Sequence, residues 1–488
     1  MAVTVLFVGV STWLSMELNI WIDEAYSLQT TDSGLIAGIA GARFHRQAPM
    51  YFGALSAVRT LSPTILAARS LSIFSMAAFL VLVFFYSRRQ WGSREAILLV
   101  LLAAVHPFSL WAATEVRPYA FALAVGALLI YVEGHTDRAI DASHWKWSFF
   151  KGLLWAAALY AHYYLGFLLA ALVVASVISD PRRWREIAIA SVTCAVVFGP
   201  FVPTVLSQTS NANADMPSAS ALGSMRIVYG HAKAFAFPFV RDLPDAVSTW
   251  FGYSAIALAT ILASLKRAYR SRRVIAVVSA LATSTTCYVA AGVLVGPQAI
   301  DTRHTFVLFI VIIAAAGAVL HFLRMEARSN RAFGILGLVL MLCFVAATAY
   351  RNAPLAKEGD YRRAAQYIKD SESAGQPIVL FNSEAVLPFS YYYEGINLVV
   401  PLPSHPSVEE FDPAQFSIES YAQVSRRMSD LPAQHTHIWL YDNQVRGWGN
   451  TRYNWKYLDR YLGRHYTVER YAAFFGAEVR LLARNATR

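Results

Sequence analysis

Two adjacent acids, Asp23 and Glu24, stand in the stretch NIWIDEAYS, just where a first apolar run ends. Ionised carboxylates at a bilayer edge cost free energy unless they face water or a partner. They read either as solvated loop acids or as a general base whose neighbour orients a metal or a substrate hydroxyl. The same segment continues as FHRQAPMYF, with His45, Arg46 and Pro49, and Arg69 follows in AARSLSIF. An arginine early in an apolar helix either binds an anion or snorkels to headgroups. Glu115 and Arg117 lie two apart in ATEVRPYAF. Residues two apart on a helix do not face each other, and Pro118 pushes Arg117 toward an extended backbone. This acid and base therefore flank a break between two spans. His162, Tyr163 and Tyr164 close one later run, and Asp301, Arg303 and His304 precede another. Each set alone suits a structural or interfacial role. Together they form an inventory for acid–base chemistry on an anionic substrate.

The elements that position them are membrane spans. The chain has 488 residues, of which 56% are hydrophobic and 15% charged, with a mean hydropathy of +0.40. Soluble domains carry about 25% charged residues. About eleven apolar runs follow one another, at 3–20, 65–86, 96–113, 119–132, 149–161, 165–178, 187–206, 247–265, 274–295, 306–322 and 333–349. The first lacks the basic leader and the small-residue cleavage site of a signal peptide, so it reads as a retained helix. Alternate loops (SRRQWGSRE, 135–151, DPRRWRE, KRAYRSRR and RMEARSNR) are short and rich in Lys and Arg, which marks them as cytoplasmic. This rule puts the N-terminus inside and, with an odd number of spans, the C-terminus outside. It also accounts for the net charge of +11 without nucleic acid. Cys194, Cys287 and Cys343 lie singly in apolar runs, with no zinc or redox spacing.

The expected fold is an α-helical polytopic membrane domain over 1–350 and a small α/β extracytoplasmic domain over 351–488. In the second, 361–369 reads as helix, and 377–381, 437–442 and 477–483 as strands. Two outer loops are long, 21–63 and 207–246, and all the groups named above map to the outer side.

These residues resemble a known family. NIWIDEAYS is similar to the acidic first outer loop of GT-C glycosyltransferases, nearest to the ArnT-like and protein O-mannosyltransferase-like enzymes. FHRQAPMYFG is similar to their H-x-x-x-P-x-Y segment, ARSLSIF to their R-x-x-S stretch, ATEVRPYAF to their E-x-R-x-Y segment and, more weakly, DTRHTFVLF to a later motif. The likeness covers roughly residues 12–165. Where many ArnT-like members carry an acid between the His and the Pro, this chain has Arg46, Gln47 and Ala48.

The resemblance implies a multi-pass enzyme of the cell's inner (plasma) membrane, with its catalytic loop at 21–63. It would transfer a sugar from a polyprenyl-phosphate donor, with inversion, to a glycolipid, polysaccharide or protein. Asp23 would be the base, with Glu24 assisting. Arg69, Arg117 or Arg303 would bind the donor phosphate. His45, Glu115, Tyr119, His162 and Tyr163 would contact substrate. The implied cofactor is none for certain, with Mg or Mn the divalent cation such acids would take. Two rivals share the membrane setting: a transporter or lipid flippase, and an oligosaccharide ligase. A transporter more often places ionisable groups at midplane in broken helices, and few such groups occur here.

Overall fold

The computed structural model describes residues 1–488 except 44, 136–143, 214–218, 245–246, 248–271, 327–329, 408–411, 433 and 486–488. The chain divides into two compact units. The first joins Met1–Ser15 to Gly34–Ala353, and the second joins Met16–Ser33 to Pro354–Arg488.

Among the described residues, the regular elements of the first unit are all helices. Its elements begin with α1 (Ala2–Glu17), whose last two residues lie in the second unit. The acidic helix of that second unit, α2 (Ile22–Thr30), comes next in chain order. The first unit resumes with α3 (Leu35–Gly41), α4 (Pro49–Leu61), α5 (Ile65–Gln90), α6 (Ser93–Ala104), α7 (Pro107–Ala113), α8 (Tyr119–Glu133), α9 (His144–Ala161) and α10 (Leu165–Ser179). Then come α11 (Trp184–Phe198), α12 (Val202–Asn213), α13 (Ala221–Ala236), α14 (Arg272–Leu294), α15 (Phe306–Glu326) and α16 (Asn330–Asn352). Among the described residues, five stretches are long and apolar enough to cross a bilayer, or up to seven if each of two bent pairs counts as one span. Helices α8 and α10 are shorter apolar helices. Ten of the eleven apolar runs fall on helices in whole or in most part; the run at 247–265 and most of the loop KRAYRSRR lie outside the described residues. Apolar side chains such as Val196, Leu338 and Leu342 are exposed at 70%, 52% and 58%. Such surface needs lipid as its solvent, because helices satisfy their own backbone groups and only water-fearing side chains face out. This is a multi-pass membrane protein.

Two ionic clasps tie the helix ends that the basic loops join. Lys151, 1% exposed, pairs with Glu133 and, at 2.9 Å, with Glu186, while Arg183 bonds the same two acids at 2.7 and 3.0 Å. Glu95, fully buried, takes Arg324 at 3.0 Å and His321 at 3.3 Å. A buried charge persists only when it is paired, so these loop cations also hold helix ends together.

The second unit is a three-layer α/β arrangement. Strands β1 (Ile378–Phe381), β2 (Val399–Pro401), β3 (His437–Asp442), β6 (Tyr466–Phe474) and β7 (Ala477–Arg484) form one sheet in the order β2-β1-β3-β7-β6. β1 is parallel to β2 and β3, whereas β7 is antiparallel to β3 and β6. β4 (Gly447–Trp448) and β5 (Thr451–Arg452) make a separate two-stranded ribbon. Side chains alternate across the sheet because the strand period is two. Val379, Phe381, Ile438 and Leu440 face a core with α19 (Tyr421–Ser429) and α20 (Trp455–His465). Ile378, Leu380, Trp439 and Tyr441 face the opposite core, against α17 (Tyr361–Ser371) and α18 (Val386–Tyr392). Ile22 of α2 packs into this second core.

Candidate functional site

The sequence-selected residues fall into two clusters, one in each unit. In the first unit the cluster forms where turns meet at the ends of α7, α9 and α15. Thr114–Pro118 is indeed non-helical, so Glu115 and Arg117 sit between α7 and α8. Arg117 is 5% exposed and donates to His45 Nδ1 at 3.3 Å. His45 stacks on Phe52 at 4.6 Å, and the Tyr163 hydroxyl donates to the Gln47 carbonyl at 3.0 Å. These contacts fix the segment ahead of Pro49, which opens α4 at the position where a proline costs no hydrogen bond.

His162 lies 2% exposed among Tyr119, Tyr164 and Phe306, with ring centroids 6.2, 5.6 and 4.8 Å away. Its Nδ1 accepts the Tyr164 N–H at 3.3 Å, which puts the proton on Nε2 in the neutral ring. Nε2 is buried with no hydrogen-bond partner among the described residues. His304 stacks flat on Tyr164 at 5.3 Å, and its Nδ1 likewise lacks a partner among them. Burial is the main cause holding the His162 ring down at about 3, with the Arg117 charge acting the same way, and burial also holds His304 well below the usual imidazole range. Both rings are therefore neutral. Arg303, beside His304, pairs with Asp301 at 3.1 Å.

Arg69 is fully buried and donates to the Ser15 carbonyl at 2.7 Å, near the C-terminal end of α1, where a cation is favoured. It does not snorkel. Ser72, one turn on, donates to the Glu115 backbone carbonyl at 2.5 Å, so the R-x-x-S stretch braces the α7–α8 break. The first unit also has an apolar groove of about 360 Å³ lined by residues such as Trp155, Leu159, Leu169 and Phe198.

The second cluster surrounds α2. The sequence placed Asp23 and Glu24 in a loop, but they occupy the first turn of a helix. Glu24 accepts the Trp21 N–H at 3.3 Å and so caps that helix. It is fully buried and pairs with Lys357 at 2.6 Å. Asn19 accepts the Lys357 N–H at 2.8 Å, and Ile20 N–H donates to the Tyr392 hydroxyl at 2.7 Å. These bonds anchor α2 to the C-terminal segment. Asp23 remains half-exposed. It shares a helix face with Tyr26, three residues on, and both interact with the buried Glu384 that follows β1.

Lys357, Tyr26 and Glu384 were not among the residues read from sequence, and no local motif points to them. Among the described residues, no three His, Cys, Asp or Glu side chains converge to hold a metal ion.

The chain thus joins an apolar helical bundle, with a polar mouth of arginine and imidazole, to a small sheet unit. Residues 46–206 match the family described as dolichyl-phosphate-mannose-protein mannosyltransferase. No curated protein matched the chain. Among solved structures, ArnT from Cupriavidus metallidurans bound to undecaprenyl phosphate is 15% identical, with a TM-score of 0.46 over 98% of this chain and 97% of that one. The same ArnT in the apo state gives 16% and 0.48 over the same shares. The Archaeoglobus fulgidus oligosaccharyltransferase in complex with Zn and sulfate gives 10% and 0.45, over 89% of this chain and 67% of that one.

Proposed function

We propose that this protein transfers a sugar from a polyprenyl-phosphate donor to a hydroxyl of a glycolipid, glycan or protein at the outer face of the cell membrane. The observation that carries the reading is the cluster at the mouth of the helical unit. Arg117 and Arg303 bring positive charge there, and the neutral His162 and His304 rings add buried nitrogens without partners among the described residues. A buried donor such as His162 Nε2, without a partner among the described residues and beside arginine charge, suits an anionic group that arrives as a ligand. The matching family, by its description, uses a sugar on dolichyl phosphate, which is a polyprenyl phosphate.

In the transfer the acceptor oxygen forms a bond to the anomeric carbon as the bond from that carbon to the phosphate oxygen breaks. Attack from the opposite face inverts the centre. Negative charge grows on the departing phosphate, where Arg117 and Arg303 stabilise it. The family resemblance assigns the acceptor proton to Asp23, which is half-exposed on α2 of the second unit. Glu24 holds α2 in place, since its carboxylate is already engaged by Trp21 and Lys357. An apolar groove in the bundle suits a prenyl chain, and a donor anchored in the bilayer reaches its site by lateral diffusion.

The test is transfer of radiolabelled sugar from polyprenyl-phosphate carriers in reconstituted membranes supplied with membrane extract. Asp23→Asn should slow transfer by about 10²–10⁴-fold, the usual worth of a general base. Arg117→Gln should lose transfer and weaken retention of the lipid phosphate. If Asp23→Asn transfers as fast as wild type, Asp23 is not the base. If the wild type releases no sugar from any carrier with any acceptor, the enzyme reading is wrong.

A further inference from the structure

Five acids are buried in the second unit: Glu24, Asp360, Glu384, Asp442 and Glu478. Four of them have a cation. Glu24 has Lys357, Asp360 has Arg363 at 2.7 Å, Asp442 has Arg446 at 2.7 Å, and Glu478 has Arg480. Glu384 is 8% exposed and is the one buried acid of this unit without a cation among the described residues. An unpaired buried carboxylate is among the costliest groups a fold can carry. Its retention calls for a reason.

Glu384 sits just past the carboxyl end of β1, in the turn that leads to α18. In open α/β sheets this end of the parallel strands is where ligands and functional groups collect. Its neighbours Asn382 and Ser383 are fully buried, and Asn382 Nδ2 and Ser383 Oγ have no hydrogen-bond partners among the described residues. The titratable groups that face Glu384 are Asp23 and Tyr26 from α2, Tyr361 from α17, and Tyr453 from the turn before α20. No cation is in this set. Three phenols and one carboxylate favour a neutral carboxyl at 384.

We propose that Glu384 is a positioning residue for Asp23: a protonated carboxyl lodged beneath the Asp23–Tyr26 face of α2, whose ionisation sets two like charges against each other and loosens that helix. The proposal rests on the reading of Asp23 as the base. Burial pushes the Glu384 carboxyl up to about 8, the Asp23 charge pushes the same way, and the nearby Tyr26 hydroxyl pulls it partly back. Two neighbouring carboxyls whose titrations are driven apart assign one to hold the proton and the other to carry charge.

Stability must follow. The folded value lies above the ordinary 4.5 of a free glutamate, so the folded protein binds more protons between about 4.5 and 8. The contribution of Glu384 is thus intact below this window and is lost as pH rises through it.

The experiment is infrared titration of the purified full-length protein, following the carbonyl stretch of protonated carboxyl groups. In wild type a band should persist at neutral pH and disappear near pH 8. Glu384→Gln should remove it, and Asp23→Asn should move its midpoint downward. The transfer rate of wild type should fall about tenfold per pH unit above that midpoint, as for the loss of one essential proton. Glu384→Gln should keep the neutral-pH rate and lose this alkaline fall. Its melting temperature should also decline less than that of wild type between pH 5 and 8. A band that has already titrated below pH 6 overturns the proposal, as does a midpoint unmoved by Asp23→Asn. A Glu384→Gln enzyme slowed equally at every pH overturns it too, because that outcome belongs to a merely structural residue. The infrared readings need no transfer, so they stand even where Asp23→Asn shows that Asp23 is not the base.

Discussion

Asp23 and Glu24 are neighbours in sequence, yet one step along an α-helix turns the side chain by about 100°. That turn separates their jobs. Glu24 points into protein, caps α2 and meets Lys357, while Asp23 stays half-exposed beside Tyr26. Sequence alone presented an undivided acidic pair, since the residue that settles the difference lies 333 positions away. The same holds for Glu384, which carries no motif. By contrast His45, Arg117, Tyr119, His162 and Tyr163 were legible, because each flanks a Pro or an apolar boundary that a short sequence window exposes. The Glu24–Lys357 pair can be tested directly. Lys357→Met leaves a buried carboxylate with its cation gone, so it should destabilise the second unit by about 3–5 kcal/mol. Adding Glu24→Gln should restore part of that loss, because the remaining charge is removed. Thermal melting of the single and double variants reads both effects.

At the scale of elements, periodicity and length identified most of the apolar helices, α17 and the buried strands β1, β3 and β7. β1 and β3 are nearly continuous apolar runs, which is how strands covered on both faces read, whereas β7 carries Glu478 and Arg480 among its apolar residues. β6 escaped notice because it is an edge strand whose side chains are mostly exposed, with Glu469 and Arg470 breaking any alternation, and its register shifts between Val468 and Arg470. The long segment after the first apolar run hid three helices, α2 to α4. Two of these, α2 and α3, are too short to show a full amphipathic period. Helix pairing leaves a sharper mark. A Cβ on Gly152 of α9 would lie 2.5 Å from the Ala190 carbonyl oxygen on α11 and equally close to Thr193 Cβ. A carbonyl oxygen belongs to the backbone and cannot swing aside as a side-chain tip can. Gly152→Ala should therefore force the two helices apart and cost about 1–3 kcal/mol, the range for overpacking. Gly199→Ala, with open space around its Cβ, is the control. Melting curves in detergent should separate the two variants.

At the scale of the whole molecule, the decisive fact is that residues 16–33 and 354–488 form one compact unit. The chain leaves the helical unit after Ser15, returns at Gly34, and leaves again after Ala353. A single compact unit cannot lie on both sides of a bilayer, so the acidic helix and the C-terminal sheet must share a side. The basic loops argue that this side is the outer one, and the placement of Asp23 in an extracytoplasmic reaction depends on it. Two single-cysteine variants decide the matter in a background lacking Cys194, Cys287 and Cys343. Gln29→Cys reports α2, where Gln29 is exposed, and Glu394→Cys reports the C-terminal unit, where Glu394 is 82% exposed. A membrane-impermeant thiol reagent added to intact cells should label both. Labelling of neither until the cells are opened would put the unit in the cytoplasm and reverse the orientation. Labelling of only one would separate two segments that share a hydrophobic core and the Glu24–Lys357 ion pair, and would break the unit itself.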